Sequence, residues 1–175
     1  EPEDILTAIK DFFFERPLKG LKAIVTAGPT YEEVDPVRFI GNRSSGKQGY
    51  AISKALLDSG ASVTLVSGPT RMYPIQGAKM VNVENAREML EACEAALPAD
   101  ICVCSAAVSD WRTSEMQTQK IKKKAGSTPP ALQLTENPDI LKILSNHPEK
   151  RPGLIVGFAA ETENIEENAK SKLKR

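Results

Sequence analysis

Short apolar runs rich in β-branched residues alternate along this chain with longer stretches whose apolar residues recur every three or four positions. Residues 3–16 show the helical spacing and stop before Pro17. Leu21 to Ala27 is a β-rich run closed by Gly28-Pro29, and Ala61 to Ser67 is another, closed by Gly68-Pro69. Continuous apolar runs with flanking glycines belong to parallel strands buried on both faces. Residues 46–59 read as a helix ending in Ser59-Gly60, with glycine as the C-terminal stop. Val81 to Val83 is a short third strand, 86–97 an amphipathic helix, and Asp100 to Ala107 a fourth strand. From 109 to 136 the chain is polar and lysine-rich, with Gly126 and Pro129-Pro130. That composition predicts a mobile loop or hairpin, ending in Ala131 to Leu134, with 112–130 not ordered in the absence of ligand. A helix is predicted from near Pro138, a fifth strand over 154–159 and a last helix over 163–175.

Strands alternating with helices predict an α/β fold, a doubly wound, mostly parallel sheet of Rossmann type. Ligands of such sheets sit at the carboxyl ends of the strands. Here those ends are 26–30, 67–70, 105–110 and 158–162.

The bulk properties remove several alternatives. The chain has 175 residues, enough for one domain, with 41% hydrophobic and 26% charged residues. Lys+Arg and Asp+Glu are both 23, so nothing points to a nucleic-acid or membrane surface. No apolar stretch approaches the ~20 residues that span a bilayer. The start, Glu1 to Asp4, is acidic where a signal peptide would be basic. Cys102 and Cys104 lie in an apolar run as C-x-C, and His147 is the one histidine. Buried thiols are therefore expected rather than zinc ligands, with the cytoplasm as the default compartment.

Three local patterns suggest chemistry and fall short of it. Gly41 to Lys47 matches G-x-x-x-x-G-K, but Gln48 stands where a P-loop carries Ser or Thr for magnesium. A glycine-rich loop opening a helix still suits an anion. Gly46-Lys-Gln-Gly49 is a loose dinucleotide fingerprint, yet the second strand ends in Ser67-Gly68 without the ribose-binding acid. Tyr50 and Lys54 form a Y-x-x-x-K pair, on the wrong helix for the short-chain dehydrogenase arrangement.

Five segments carry more information together than singly: Thr26 to Gly49, Ser105 to Arg112, Lys120 to Lys124, Glu136 to Leu141 and Val156 to Thr162. In order and content they resemble bacterial-type phosphopantothenoylcysteine synthetases, over nearly the whole chain from Leu21. The resemblance implies a ligase using CTP, with Mg2+, to join 4′-phosphopantothenate to L-cysteine through an acyl-cytidylate, giving 4′-phosphopantothenoylcysteine. It implies Asn42 on the acyl intermediate, with Arg38 and Lys120 as further catalytic groups. It places Ser105, Ala106, Ala107 and Asp110 at the cytosine, and Lys120 on a flexible strap. Pro138, Asp139, Ile140 and Leu141 would form a second nucleotide turn, and Phe158 the pocket aromatic. Lys172 would reach the triphosphate, and Gly41, Gly46 and Gly49 would shape the phosphate loop. Read locally, Asn42 is equally a turn residue, Arg38 half of a surface ion pair, and the lysine run a solvated face.

Residues 1–20 resemble the helix linking a flavin-dependent decarboxylase domain to the synthetase, so 21–175 is expected to be a nucleotide-binding domain. The family continues past Arg175, which implies an incomplete site in this chain, and it is generally homodimeric. The other readings are an NAD(P)-dependent reductase on the same fold and a nucleotide-binding fragment without activity.

Overall fold

The computed structural model describes residues 1–13, 15–122, 130–160 and 163–173. Five parallel strands form the central sheet: β1 (Lys22–Ala27), β4 (Ser62–Ser67), β5 (Lys79–Asn82), β6 (Ile101–Cys104) and β9 (Leu154–Gly157), in the order β5-β4-β1-β6-β9. Two antiparallel pairs stand apart from it. One is β2 (Tyr31–Asp35) with β3 (Arg38–Gly41), the other β7 (Trp111–Thr113) with β8 (Leu134–Glu136). The helices are α1 (Pro2–Phe13), α2 (Lys47–Asp58), α3 (Ala86–Ala95), α4 (Ile140–Ser145) and α5 (Ile165–Leu173).

The continuous apolar runs resolve into two faces because strand side chains alternate. Ala23, Val25 and Ala27 of β1 join Ile101 and Val103 of β6 against α2, where Tyr50 is buried. Ile24 of β1 and Cys102 of β6 face the other way, against Met89 and Cys93 of α3 and Ile140 and Leu144 of α4. Each such fully buried aliphatic side chain contributes about 1.5–3 kcal/mol of transfer free energy. The doubly wound parallel sheet expected from the pattern is the fold observed.

Four local differences matter for the site. The segment 31–41, to which the apolar pattern assigned no element, is the β2–β3 hairpin. The polar stretch after 109 holds β7 and β8, so its flanks are paired; residues 123–129 lie outside the described residues. Pro138 precedes α4 rather than opening it, because Asp139 is the N-cap, its side chain accepting from the Lys142 amide at 3.0 Å. The third strand starts two residues earlier than expected, at Lys79.

The cysteines carry free thiols. Cys93 and Cys102 are buried and Cys104 half-buried. Burial pushes the Cys93 thiol up to about 12. Cys104 is also raised, first by its contact with the Cys102 sulfur at 3.8 Å and then by burial. Such thiols behave as small apolar groups.

Candidate functional site

The sheet reverses its strand order between β1 and β6, since the chain runs outward from β1 to β4 and β5 before returning to β6. Crevices at such switch points, outside the carboxyl ends, are where ligands bind. Here three loops meet: 28–30 after β1, 105–110 after β6, and 41–46 between β3 and α2.

Backbone and side-chain bonds tie them together. Thr26 Oγ1 accepts from the Ala106 amide at 3.1 Å, and Ser105 Oγ donates to the Thr26 carbonyl at 2.6 Å. The Ala107 amide donates to the Gly28 carbonyl at 2.8 Å. Thr30 Oγ1, fully buried, accepts from the Ser109 amide at 2.9 Å. Across the crevice, Asn42 Nδ2 donates to the Val108 carbonyl at 2.8 Å, which leaves the Asn42 carbonyl oxygen as the acceptor able to turn toward a ligand.

Beside the loops 28–30 and 41–46 lies an open cleft of about 620 Å³, lined by Pro29, Tyr31, Phe39, Gly41, Asn42, Arg43, Ser44 and Ser45. Tyr31 and Phe39 form one wall, their rings stacked at 3.9 Å. The loop 41–45 along the cleft leads directly into the start of α2. Gly46 caps this helix with φ +75°, a conformation that suits glycine, and has no side chain of its own to accept from the first-turn amides. Its first turn holds no acidic residue. The Ser44 and Ser45 hydroxyls accept from the Gly46 and Lys47 amides at 3.2 and 3.4 Å. Gly49 lets the helix press on the sheet: a Cβ there would lie 2.5 Å from Ala27 Cβ and 2.9 Å from the Thr26 carbonyl oxygen. Polar hydroxyls, outward amides and the positive end of a 12-residue helix make an anion cradle.

The expected residues divide into three groups. Gly41, Asn42, Gly46, Gly49, Ser105, Ala106 and Ala107 do come together at the switch point. Arg38 does not face the cleft as a free cation. Its Nε and Nη2 donate to Asp35 Oδ2 at 3.0 and 2.6 Å, and Nη2 also donates to the Ile121 carbonyl at 2.8 Å. Asp35 is buried, accepts from the Val37, Arg38 and Ile121 amides as well, and is held well below the usual carboxylate range by Arg38 first. Lys120 is exposed beside this clamp. Asp110 is exposed at the crevice rim, with Asn137 donating to its backbone carbonyl at 2.9 Å.

The third group lies toward β9. Pro138 and Asp139 precede α4, Ile140 is buried in the core, and Leu141 packs over Gly157, where a Cβ would lie 2.5 Å from Leu141 Cδ2. The Asp139 carboxylate is spent on capping its own helix. Phe158 follows β9 and is 47% exposed. Lys172 lies on α5, and its side chain is outside the described residues. Sequence reasoning gave no role to Asp35; it met Thr30 and Thr70 only as strand ends beside glycine-proline turns, and Tyr50 only in the discounted Y-x-x-x-K pair.

Among the described residues no three His, Cys, Asp or Glu side chains converge as a metal site, and no helix is long and apolar enough to cross a membrane. His147, whose Nδ1 accepts from the Glu149 and Lys150 amides, follows α4 at the opposite, amino edge of the sheet.

Comparison with known proteins gives a family. A family model described as "DNA/pantothenate metabolism flavoprotein C-terminal domain" matches residues 18–175. The "Coenzyme A biosynthesis bifunctional protein CoaBC" of Haemophilus influenzae is 45% identical over 177 residues, covering 100% of this chain and 44% of the relative. A protein named "Cysteine/Cysteine sulfinic acid decarboxylase", from an unknown prokaryotic organism, is 42% identical, covering 100% of this chain and 50% of its own length. The crystal structure of the C-terminal domain of a CoaBC protein superposes with TM-score 0.78 at 41% identity, covering 91% of this chain and 74% of that one. The chain thus spans about half the length of the curated relatives it matches.

These descriptions correct the expectation of a CTP-dependent synthetase. The family is named for a flavoprotein, one relative for a decarboxylase, and none of the printed names gives a ligase, CTP or magnesium. The flavin in the family's description does not fit the described residues of this cleft. Its two aromatic rings stack on each other rather than flanking a slot, and the remaining lining is Pro29 with the polar loop 41–45. Residues 18–175 belong to the DNA/pantothenate metabolism flavoprotein C-terminal domain family.

Proposed function

We propose that this chain serves coenzyme A biosynthesis by binding a phosphorylated pantothenate derivative, 4′-phosphopantothenoylcysteine, at the switch-point cleft. The observation that carries the reading is the start of α2, which lacks an acidic cap, is held only by two long serine contacts and follows directly on the polar loop 41–45 that lines the cleft. A phosphate there would take the amides at the head of α2, displacing the weakly held Ser44 and Ser45 hydroxyls. Arg43, exposed on the cleft wall, adds a cation. Asn42 would present its carbonyl oxygen to an amide N–H of the pantetheine arm. The family's link to pantothenate metabolism and the relative's name in coenzyme A biosynthesis support the choice of ligand.

Calorimetric titration with 4′-phosphopantothenoylcysteine and its dephosphorylated form tests this. The phosphorylated form should bind at least about tenfold more tightly, one charge-assisted phosphate site's worth. Equal binding of the two, or none, would overturn it.

One relative's name favours a second reading, in which the whole protein decarboxylates such a cysteine conjugate. This chain's residues would hold and orient the substrate, and the chain alone is expected to release no carbon dioxide. Release of labelled carbon dioxide by the isolated chain with added FMN would show that it carries the chemistry as well.

A further inference from the structure

The anion cradle is held in shape by a residue on a different loop. We infer that Thr70, after β4, is a positioning residue for the head of α2. Its methyl group forms a wedge against both left-handed glycines. A Cβ built on Gly28 would lie 2.7 Å from Thr70 Cγ2, and one built on Gly46 would lie 2.7 Å from the same atom. The Gly46 position is in turn 3.5 Å from the Gly28 amide nitrogen. Thr70 Cγ2 thus packs against the end of β1 and the cap of α2 at once.

The hydroxyl fixes which way the methyl points. Thr70 Oγ1 accepts from the Met72 amide at 3.3 Å and donates to Tyr50 Oη at 3.3 Å. Tyr50 Oη donates to Ser67 Oγ at 3.2 Å, and Ser67 Oγ donates to the Gly68 carbonyl at 2.9 Å. Tyr50 is buried on α2, and its amide donates to the Gly46 carbonyl at 3.1 Å. The chain of bonds starts and ends on the loop after β4 and passes through the first turn of α2. With the Thr70 hydroxyl engaged in both bonds, the methyl is left facing the glycines.

The ligand arm of the test rests on the proposed function; the cradle arm does not. Thr70→Ser removes the wedge and keeps the hydroxyl, whereas Thr70→Val keeps the wedge and removes the hydroxyl. Hydrogen exchange of the unliganded protein, read on amides 46–50, should be faster by about tenfold in Thr70→Ser, with Thr70→Val within about threefold of wild type. Amides of β1 and α3 should not change. Titration with 4′-phosphopantothenoylcysteine should then show binding about five- to tenfold weaker for Thr70→Ser. Unchanged exchange at 46–50 in Thr70→Ser, equal effects of the two variants, or acceleration spread evenly over β1 and α3 would overturn the inference. If the wild-type chain binds no ligand, the proposed function fails, and the exchange ratio still decides the role of Thr70.

Discussion

The helices α2 and α3 both start at the carboxyl edge of one sheet, yet their first turns are closed in opposite ways. At α3, Asn85 accepts from the Glu88 amide at 3.0 Å, and the Glu88 carboxylate reaches back to the Glu84 amide at 2.8 Å. Buried Glu32, from β2, accepts from the Ala86 amide at 3.0 Å. That is a variant of the capping box, the carboxylate reaching the amide one residue before the N-cap, with a third acceptor added from another element, and it brings negative charge to the positive end of the helix. At α2 there is a glycine cap, two neutral serine hydroxyls and no acid. Every helix start leaves amides that something must satisfy. α3 satisfies its own, while α2 leaves room for an anion, so the choice of first-turn residues decides which end can be a site.

The largest effect should come from blocking the close approach that α2 needs. A Cβ at Gly49 would lie 2.5 Å from Ala27 Cβ and 2.7 Å from Ser105 Oγ, inside a packed junction. Gly49→Ala is expected to cost about 2–4 kcal/mol through overpacking and backbone shift, read from chemical denaturation. The reverse change at the matching region of α3, Ala86→Gly, should cost only about 1 kcal/mol of helix propensity and lost methyl burial. Similar costs at the two positions would show that the heads of the two helices are packed alike.

Next comes a test that makes α2 resemble α3 electrostatically. Gln48→Glu places a carboxylate in the first turn of α2, on an exposed position. Stability should change by less than about 0.5 kcal/mol, slightly upward, because the charge complements the helix dipole. Affinity for 4′-phosphopantothenoylcysteine should fall about tenfold, from repulsion between like charges. An unchanged affinity would remove the phosphate from the head of α2. Its counterpart is Asn85→Ala in α3, expected to lower stability by about 1 kcal/mol and to leave ligand affinity unchanged.

The sheet was legible in the sequence because both faces of β1, β4 and β6 are buried, so their apolar runs are continuous and bounded by glycine. The glycine loop was legible because helix starts have local signatures, whereas Asn42 was singled out only through the resemblance. The β2–β3 hairpin was not. Its sequence, Tyr31 to Gly41, puts Glu32 and Asp35 in buried positions, and a buried acid reads as loop until its distant partners are known. Glu32 is satisfied by the α3 head and Asp35 by Arg38 and Ile121, contacts 54 and 86 residues away in the two long-range cases. The same clamp gives Arg38 the ion pair that its local reading expected, with the Asp35 side buried rather than at the surface. The identity of the small molecule was least legible, since segments in the right order fix a family more firmly than they fix its chemistry.

Asp35 supplies an effect that is fully present at neutral pH and is lost in acid. It belongs with α3 in the comparison: a carboxylate satisfied by its own chain, closing the β2–β3 turn through the Val37 and Arg38 amides and holding Ile121. Its proton affinity is lowered in the folded state from the ordinary value of 3.8, chiefly by Arg38, with burial opposing. A carboxyl lowered on folding stabilises the protein above its unfolded value and loses that contribution as pH falls through the folded one. Between about pH 5 and 8 the carboxylate is ionised in both states and adds no slope. Below about pH 4, wild-type stability should drop more steeply than that of Asp35→Asn, which has no proton to take up there. Denaturation midpoints of the two proteins from pH 7 down to about pH 2.5 check this. Parallel curves across the whole range would mean that the clamp on Ile121 is not formed by an ionised Asp35.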